Sequence, residues 1–290
     1  MGGHDDEKMR ATIAGFLEIL QSLTRIAEVT LYRLKLATDG GEPLVAGDPE
    51  VVSVIMPMLH MVGMSTQSVL LLASDAKLPV RDAYPIARAV VEGSVNILFI
   101  MAEGRAAAEK AKRHAASISY RNLFRSANIA GVQVEVAYEG SATLQDYPDV
   151  VALMAEFTTK SGREKPWSDK TIKQKIEMVT EKFTHQRALL LMGAWFGVYK
   201  LASEVVHGSY FGAVFFWGAD RPRRKPVDST EDLVEILREH QFAILSSVAF
   251  ALFDLLSIIA YYIEEPFIGG LVEDQIAQLK ALELIAEGLK

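Results

Sequence analysis

Apolar residues recur along this chain in steps of three and four. In "IAGFLEILQSLTRIAEVTLYRL" they fall at Ile13, Phe16, Leu17, Leu20, Leu23, Ala27, Leu31 and Leu34, the pattern of an amphipathic helix with one face turned inward. "ATDGGEPLVAGD" ends that helix with paired glycines and a proline. Asp48 then caps a second helix that has Pro49 at its first position, reaches roughly Ala73, and carries methionines at 56, 58, 61 and 64 as flexible core filler. A third helix follows Pro79 and runs to about Glu103. The alanine- and charge-rich segment from Gly104 to Gly140 reads as one long helix, because those residue types favour helix.

The second half continues in the same manner. A short helix is expected over Val150–Thr159, then an exposed turn, "KSGREKPWSDK", with Ser168 as a cap. "TIKQKIEMVTEKF" and "HQRALLLMGAWFGVYKLASEVV" make one or two helices, and "GADRPRRKPVDS" is a loop. Ser229 caps a long helix that "EEPFIGG" stops, and an amphipathic helix closes the chain. No segment is read as a strand. The fold expected is all-α, an elaborated multi-helix bundle of seven to nine helices. One domain over 1–290 is the simplest organisation: a motif-bearing core at about 60–210, with C-terminal helices (230–288) packed on it. The best place for a seam is the polar turn at 160–168.

Residues 241–263 change the picture, because they are apolar for long enough to cross a bilayer. Asp254 sits in the middle, where lipid would cost a charge several kcal/mol. A central helix buried all round is the preferred reading, and membrane association the lesser one. The opening residues carry no positively charged leader and no apolar signal core, so a cytoplasmic location is expected. A formal net charge of -7 gives no general attraction for nucleic acid, and the lack of cysteine excludes disulfides, thiol catalysis and thiolate metal sites.

Candidate chemistry lies in two polar stripes. Arg81, Arg88, Glu92, Asn96 and Glu103 fall near one face of the third helix, which is otherwise apolar. An Arg88–Glu92 pair inside a bundle is costly to build. Surface exposure, a structural network and a ligand or catalytic site all explain the stripe. The second stripe is Tyr199, Ser203 and His207, spaced by four. Gly208 follows as a C-terminal cap residue, so His207 closes its helix, faces the Arg88–Glu92 helix, or does both. Glu204 either orients His207 or pairs with Lys200.

"ARAVVEGSVNILFI" followed by "YKLASEVVHGSY" resembles a widespread family of uncharacterised bacterial helical proteins, domain of unknown function 5677. Its members pair an Arg-x-x-x-Glu helix with a downstream Tyr-x-x-x-Ser…His element. The resemblance marks Arg88, Glu92, Tyr199, Ser203 and His207. That family is similar in outline to the HEPN-type bundles, many of which are dimeric RNases of toxin–antitoxin and phage-defence systems. It implies an RNA- or nucleotide-directed effector with Arg88, Glu92 and His207 as catalytic residues and Tyr199 and Ser203 as ligand contacts; Asn96, on the same helix face as Arg88 and Glu92, is a further candidate contact. The chain departs from the HEPN nuclease motif: none of its six histidines has an arginine four to six residues before it. A non-catalytic binding or scaffold protein fits the same residues.

Neither a phosphate loop nor a His-Glu-x-x-His motif is present, and no cofactor or metal is expected. Two basic patches are candidate phosphate contacts: the Lys110–Arg125 region with Arg121 and Arg125, and the "RPRRK" loop at Arg221–Lys225. The apolar surplus and the aromatic segment Tyr210–Trp217 suggest a homodimer, the latter as its contact or as a buried hairpin between helices.

Overall fold

The computed structural model describes residues 3–38, 47–76, 79–137, 148–183, 188–217, 227 and 229–287. It is a multi-helix architecture with one small β element. In chain order the helices are α1 (Gly3–Thr38), α2 (Pro49–Leu72), α3 (Val80–Glu103), α4 (Arg105–Leu123), α5 (Pro148–Glu156), α6 (Ile172–Phe183), α7 (Leu189–Val206), α8 (Tyr210–Val214), α9 (Thr230–Tyr262) and α10 (Pro266–Glu287). Strands β1 (Phe124–Ile129) and β2 (Val132–Ala137) follow α4, and a 3₁₀ turn, Phe215–Trp217, follows α8. The chain forms two compact units, one of Met1–Ala102 with Ile172–Lys290 and one of Glu103–Thr171.

The first unit is built round α9. From Ile244 to Ala260 nearly every side chain of α9 is buried, and α1, α7 and α10 pack along it. Glycines set how closely α7 approaches: a Cβ on Gly197 would lie 2.6 Å from Ser247 Oγ. Capping follows the sequence signals. Asp48 accepts from Glu50 N at 2.8 Å with Pro49 at the first helical position, and Ser229 Oγ accepts from Asp232 N at 3.1 Å. The Tyr262 hydroxyl accepts from Asp48 N at 3.2 Å, which ties the end of α9 to the start of α2.

"EEPFIGG" does less than the pattern predicts. The break is confined to residues 263–265, and Phe267–Gly270 belong to α10. Glu264 takes the left-handed conformation (φ 52°), and Glu265 N donates back to Ala260 O at 2.9 Å, which closes the end of α9 without a glycine. Pro266 then starts α10 where its missing N–H costs nothing.

The second unit corrects the long-helix expectation. Helix α4 stops at Leu123, and an antiparallel hairpin follows with Ile129 opposite Val132 and Phe124 opposite Ala137. Val132, Val134 and Val136 alternate with Gln133 and Glu135, a period of two that overrides the helix propensity carried in from α4. Ala130 and Gly131 both have positive φ (52° and 86°), the geometry of a two-residue hairpin turn, and Asn128 Oδ1 accepts from Gly131 N at 3.0 Å. Ser168 caps a turn through Lys170 N at 3.2 Å and not a helix, since α6 begins at Ile172.

Candidate functional site

Helix α3 carries Arg88, Glu92 and Asn96 at i, i+4 and i+8, so they form one polar column on a helix with 13 buried residues. Helices α6 and α7 complete the column. Arg88 donates to Glu92 Oε1 from Nη2 at 3.1 Å and from Nε at 3.3 Å. Its Nη2 also lies 3.3 Å from the Tyr199 hydroxyl, and its guanidinium sits 4.4 Å from the centre of the Tyr199 ring. Tyr199 also hydrogen-bonds Glu92 through its phenol. One turn deeper, Lys175 Nζ donates to Asn96 Oδ1 at 2.8 Å and lies 5.4 Å from the Phe99 ring centre.

The electrostatics follow from partial burial. Lys175 is only 5% exposed, and burial lowers the pKa of its amine while the Glu92 charge opposes that shift. Burial likewise raises the Tyr199 pKa, reinforced by the hydrogen bond and charge of Glu92 and opposed by Arg88. Tyr199 is therefore a neutral phenol at pH 7 and a donor to Glu92, not a base. The Arg88 and Glu92 side chains keep 22% and 32% of their surface, so the column is open at that end. Arg88 is thus paired with Glu92, while the Glu92 charge also acts on the Lys175 amine that Asn96 holds. Trp195, one turn before Tyr199 and 6.3 Å from it between ring centres, has a buried Nε1 with no hydrogen-bond partner among the described residues.

Other expected residues stand elsewhere. Ser203 is half-buried one turn beyond Tyr199, and its carbonyl accepts from His207 N at 3.1 Å. His207 is the exposed C-cap of α7, followed by Gly208 at φ +60°. Two helical turns, about 12 Å of axial rise, separate it from Tyr199. Glu204 neither orients the imidazole nor pairs with Lys200 among the described contacts. It accepts from Ser209 Oγ at 2.9 Å, and Ser209 in turn caps α8 through Gly212 N at 3.0 Å. Of the aromatic segment, Phe215 and Phe216 are buried against Tyr84 and His240, while Tyr210 and Phe211 are exposed. It is thus a short helix and turn, not a hairpin. Arg81 and Glu103 are exposed ends of the α3 stripe.

The basic residues of the second unit are largely engaged. Arg121 donates to Met154 O at 3.2 Å, to Phe157 O at 3.0 Å and to Thr158 Oγ1, so it satisfies carbonyls at the end of α5. Arg125 is exposed and held by Asn122 Oδ1. Arg113 pairs with Glu156 at 3.2 Å. The "RPRRK" loop lies outside the described residues.

Lys175 is the member of the column that pattern reading missed. Its signal is a lysine at i−4 and i−8 from Val179 and Phe183, on the buried face of α6. Asp254, which the sequence marks as a charge within an apolar helix, has a partner that spacing does not reveal. Its Oδ2 accepts from Leu191 N at 2.6 Å, and the carboxyl also takes the N–H of Leu190. The start of α7, where Ala188 offers no side-chain cap, is thus capped from the middle of α9. By length and composition α2, α3, α7 and α9 could each cross a membrane; 78% of the relevant window of α9 is buried inside the protein. Among the described residues no group of three His, Asp or Glu side chains is placed to hold a metal ion.

The chain belongs to the family of unknown function DUF5677, which it matches over residues 53–224, more than half its length. That span contains Arg88, Glu92, Asn96, Lys175 and Tyr199, whereas α1, α9 and α10 fall outside it. No curated protein and no solved structure matches the sequence.

Proposed function

We propose that this is a binding protein for a phosphate-bearing ligand, a nucleotide or the phosphorylated end of an RNA, taken at the α3–α6–α7 column. The observation that supports the reading is a pair of cations on one polar column, Arg88 held by Glu92 and Lys175 held by Asn96 one turn further along α3, in a partly buried setting that opens at Arg88. An anion entering there meets charge-assisted donors in a low-dielectric surround, where they are about twice as strong as neutral ones. The Tyr199 ring against the guanidinium, and Trp195 beside Tyr199, offer flat faces to a base. Asn96 sets the Lys175 amine, and Ser203 supplies a hydroxyl one turn along α7. The protein would act in the cytoplasm, in the effector or regulatory setting that the likeness to HEPN-type bundles suggests.

Binding is preferred to catalysis because the cluster holds no histidine and Tyr199 is a weaker acid than a free phenol, so it stays protonated and cannot serve as a base near neutrality. The test is titration calorimetry with nucleoside mono-, di- and triphosphates and with a short RNA carrying or lacking a 5′-phosphate. Wild type should bind at least one phosphorylated member. Lys175→Met and Arg88→Gln should each weaken it about 10- to 100-fold, the worth of one charge-assisted hydrogen bond. Folding of both variants is checked by circular dichroism. Binding that survives both substitutions, or no binding by wild type, contradicts the reading. Turnover of the bound ligand that His207→Ala abolishes would restore the catalytic alternative.

A further inference from the structure

Beyond its first turn the outer face of α2 carries no Asp, Glu, Lys or Arg: Pro57, Met61, Met64 and Leu71 are exposed, with His60 and Gln67 as the exposed polar residues. After Glu50, His60 is the one titratable residue of this 24-residue helix. The inner face is fully used, with Val51, Val52, Ile55, Leu59, Val62 and Val69 buried. On the other side Met61, Met64 and Leu71 are 64%, 50% and 73% exposed. Pro57, Met61, Met64, Ser68 and Leu71 follow one another at steps of four, three, four and three, so they form a single stripe along the helix. Leaving such side chains in water forgoes about 25 cal/mol for each Å² of apolar surface.

We propose that this stripe is the contact between two antiparallel copies of the chain, related by a two-fold axis through Met64. Beside the Met ridge a groove of about 230 Å³ lies between α1 and α2, round Gly63, where a Cβ would meet open space. The ridge and the groove sit on the same helix, which is what an isologous contact requires: each copy offers its ridge to the other's groove. Antiparallel pairing about residue 64 sets Met64 against Met64, Pro57 against Leu71 and Met61 against Gln67, next to Ser68. Along α2 it sets no charged residue against a like one. Flexible methionine side chains adapt to such a surface.

The size is adequate. A 24-residue helix is about 36 Å long, and with α1 alongside at 8–10 Å the face is about 20 Å wide. That is roughly 700 Å² per copy, close to the ~800 Å² per partner of a stable interface. Glu28 of α1, which accepts from Gln67 Nε2 at 3.1 Å, lines the groove together with His60 and Gln67, so the groove wall beside the Met ridge is partly polar. A lipid surface fits less well, since helices that lie on membranes carry Lys or Arg along the apolar border, and α2 has neither.

The absence of cysteine allows a direct test, because single cysteines can be introduced one at a time. Under mild oxidation Met64→Cys should form a disulfide-linked dimer. Pro57→Cys and Leu71→Cys should each stay uncrosslinked alone, their equivalent positions being about 21 Å apart, but should crosslink when mixed. Light scattering should give a dimer for wild type and a monomer for the Met64→Glu, Leu71→Glu double variant. Its dimerisation should be at least about 100-fold weaker, with an unchanged circular dichroism spectrum. The proposal is overturned if wild type is monomeric at a concentration on the order of 100 µM, or if it is a dimer that the double variant leaves intact. It is overturned too if wild type binds phosphatidylglycerol vesicles as a monomer through the same face.

Discussion

Replacing Asp254 with asparagine isolates the one buried carboxyl among the described residues of the first unit. Burial raises its pKa from 3.8 to about 7, against the pull of the Leu191 and Leu190 N–H groups, which favour the charged form. Below pH 3.8 both folded and unfolded chains hold the proton, and the group costs nothing. Between 3.8 and 7 the unfolded chain ionises while the native carboxyl keeps its proton, so stability falls as pH rises. Above 7 the native group ionises as well, and the loss levels off. The interval from 3.8 to about 7, at about 1.36 kcal/mol per pH unit, sets the size of that loss at about 4 kcal/mol. Asparagine keeps an acceptor for the α7 N–H groups but cannot ionise. Urea unfolding of both proteins from about pH 4 to 8 should show Asp254→Asn gaining on wild type by up to about 4 kcal/mol, nearly all of it below about pH 7. The groups common to both proteins cancel in the difference. Asp254→Ala removes the cap itself and should cost about 2–3 kcal/mol at about pH 4. A difference between Asp254→Asn and wild type that is flat with pH would refute the burial argument. One that moves in wild type's favour as pH rises would show that the helix terminus outweighs desolvation.

Arg121→Ala should destabilise the second unit by about 2–3 kcal/mol through the carbonyls it abandons, read by hydrogen exchange at the end of α5, whereas Arg125→Ala should be within about 0.5 kcal/mol of wild type. Gly212→Ala places a Cβ 2.5 Å from Glu204 O, a backbone atom that cannot rotate away, and should lower the melting temperature by several degrees while leaving Ser209→Ala the milder change.

What sequence pattern reveals here is local. The α3 column, the Asp48 and Ser229 caps and the His207–Gly208 helix end all depend on residues within a turn or two of one another, and each stands where spacing places it. What pattern does not reveal is which face meets which. Lys175 reaches Asn96 across 79 positions, and Asp254 caps a helix 63 residues upstream, so neither partner is written near the other. The hairpin is hidden for a different reason. Its valine alternation spans only Val132 to Val136 and follows closely on a strong helix. Its turn uses Ala130–Gly131 where Asn–Gly would have signalled it. Glu264 conceals a helix end in the same way, by taking a left-handed conformation that glycine usually marks.

The account rests on Arg88 and Lys175 acting together on a phosphoryl group. A crystal structure of the wild-type protein grown with the tightest-binding phosphorylated ligand tests that most directly. The account predicts phosphate oxygens within hydrogen-bond distance, about 3 Å, of both the Arg88 guanidinium and the Lys175 amine, with the base or sugar against Tyr199. A ligand bound elsewhere, with the Arg88–Glu92–Tyr199 and Lys175–Asn96 contacts unchanged, would show that the column is only structural.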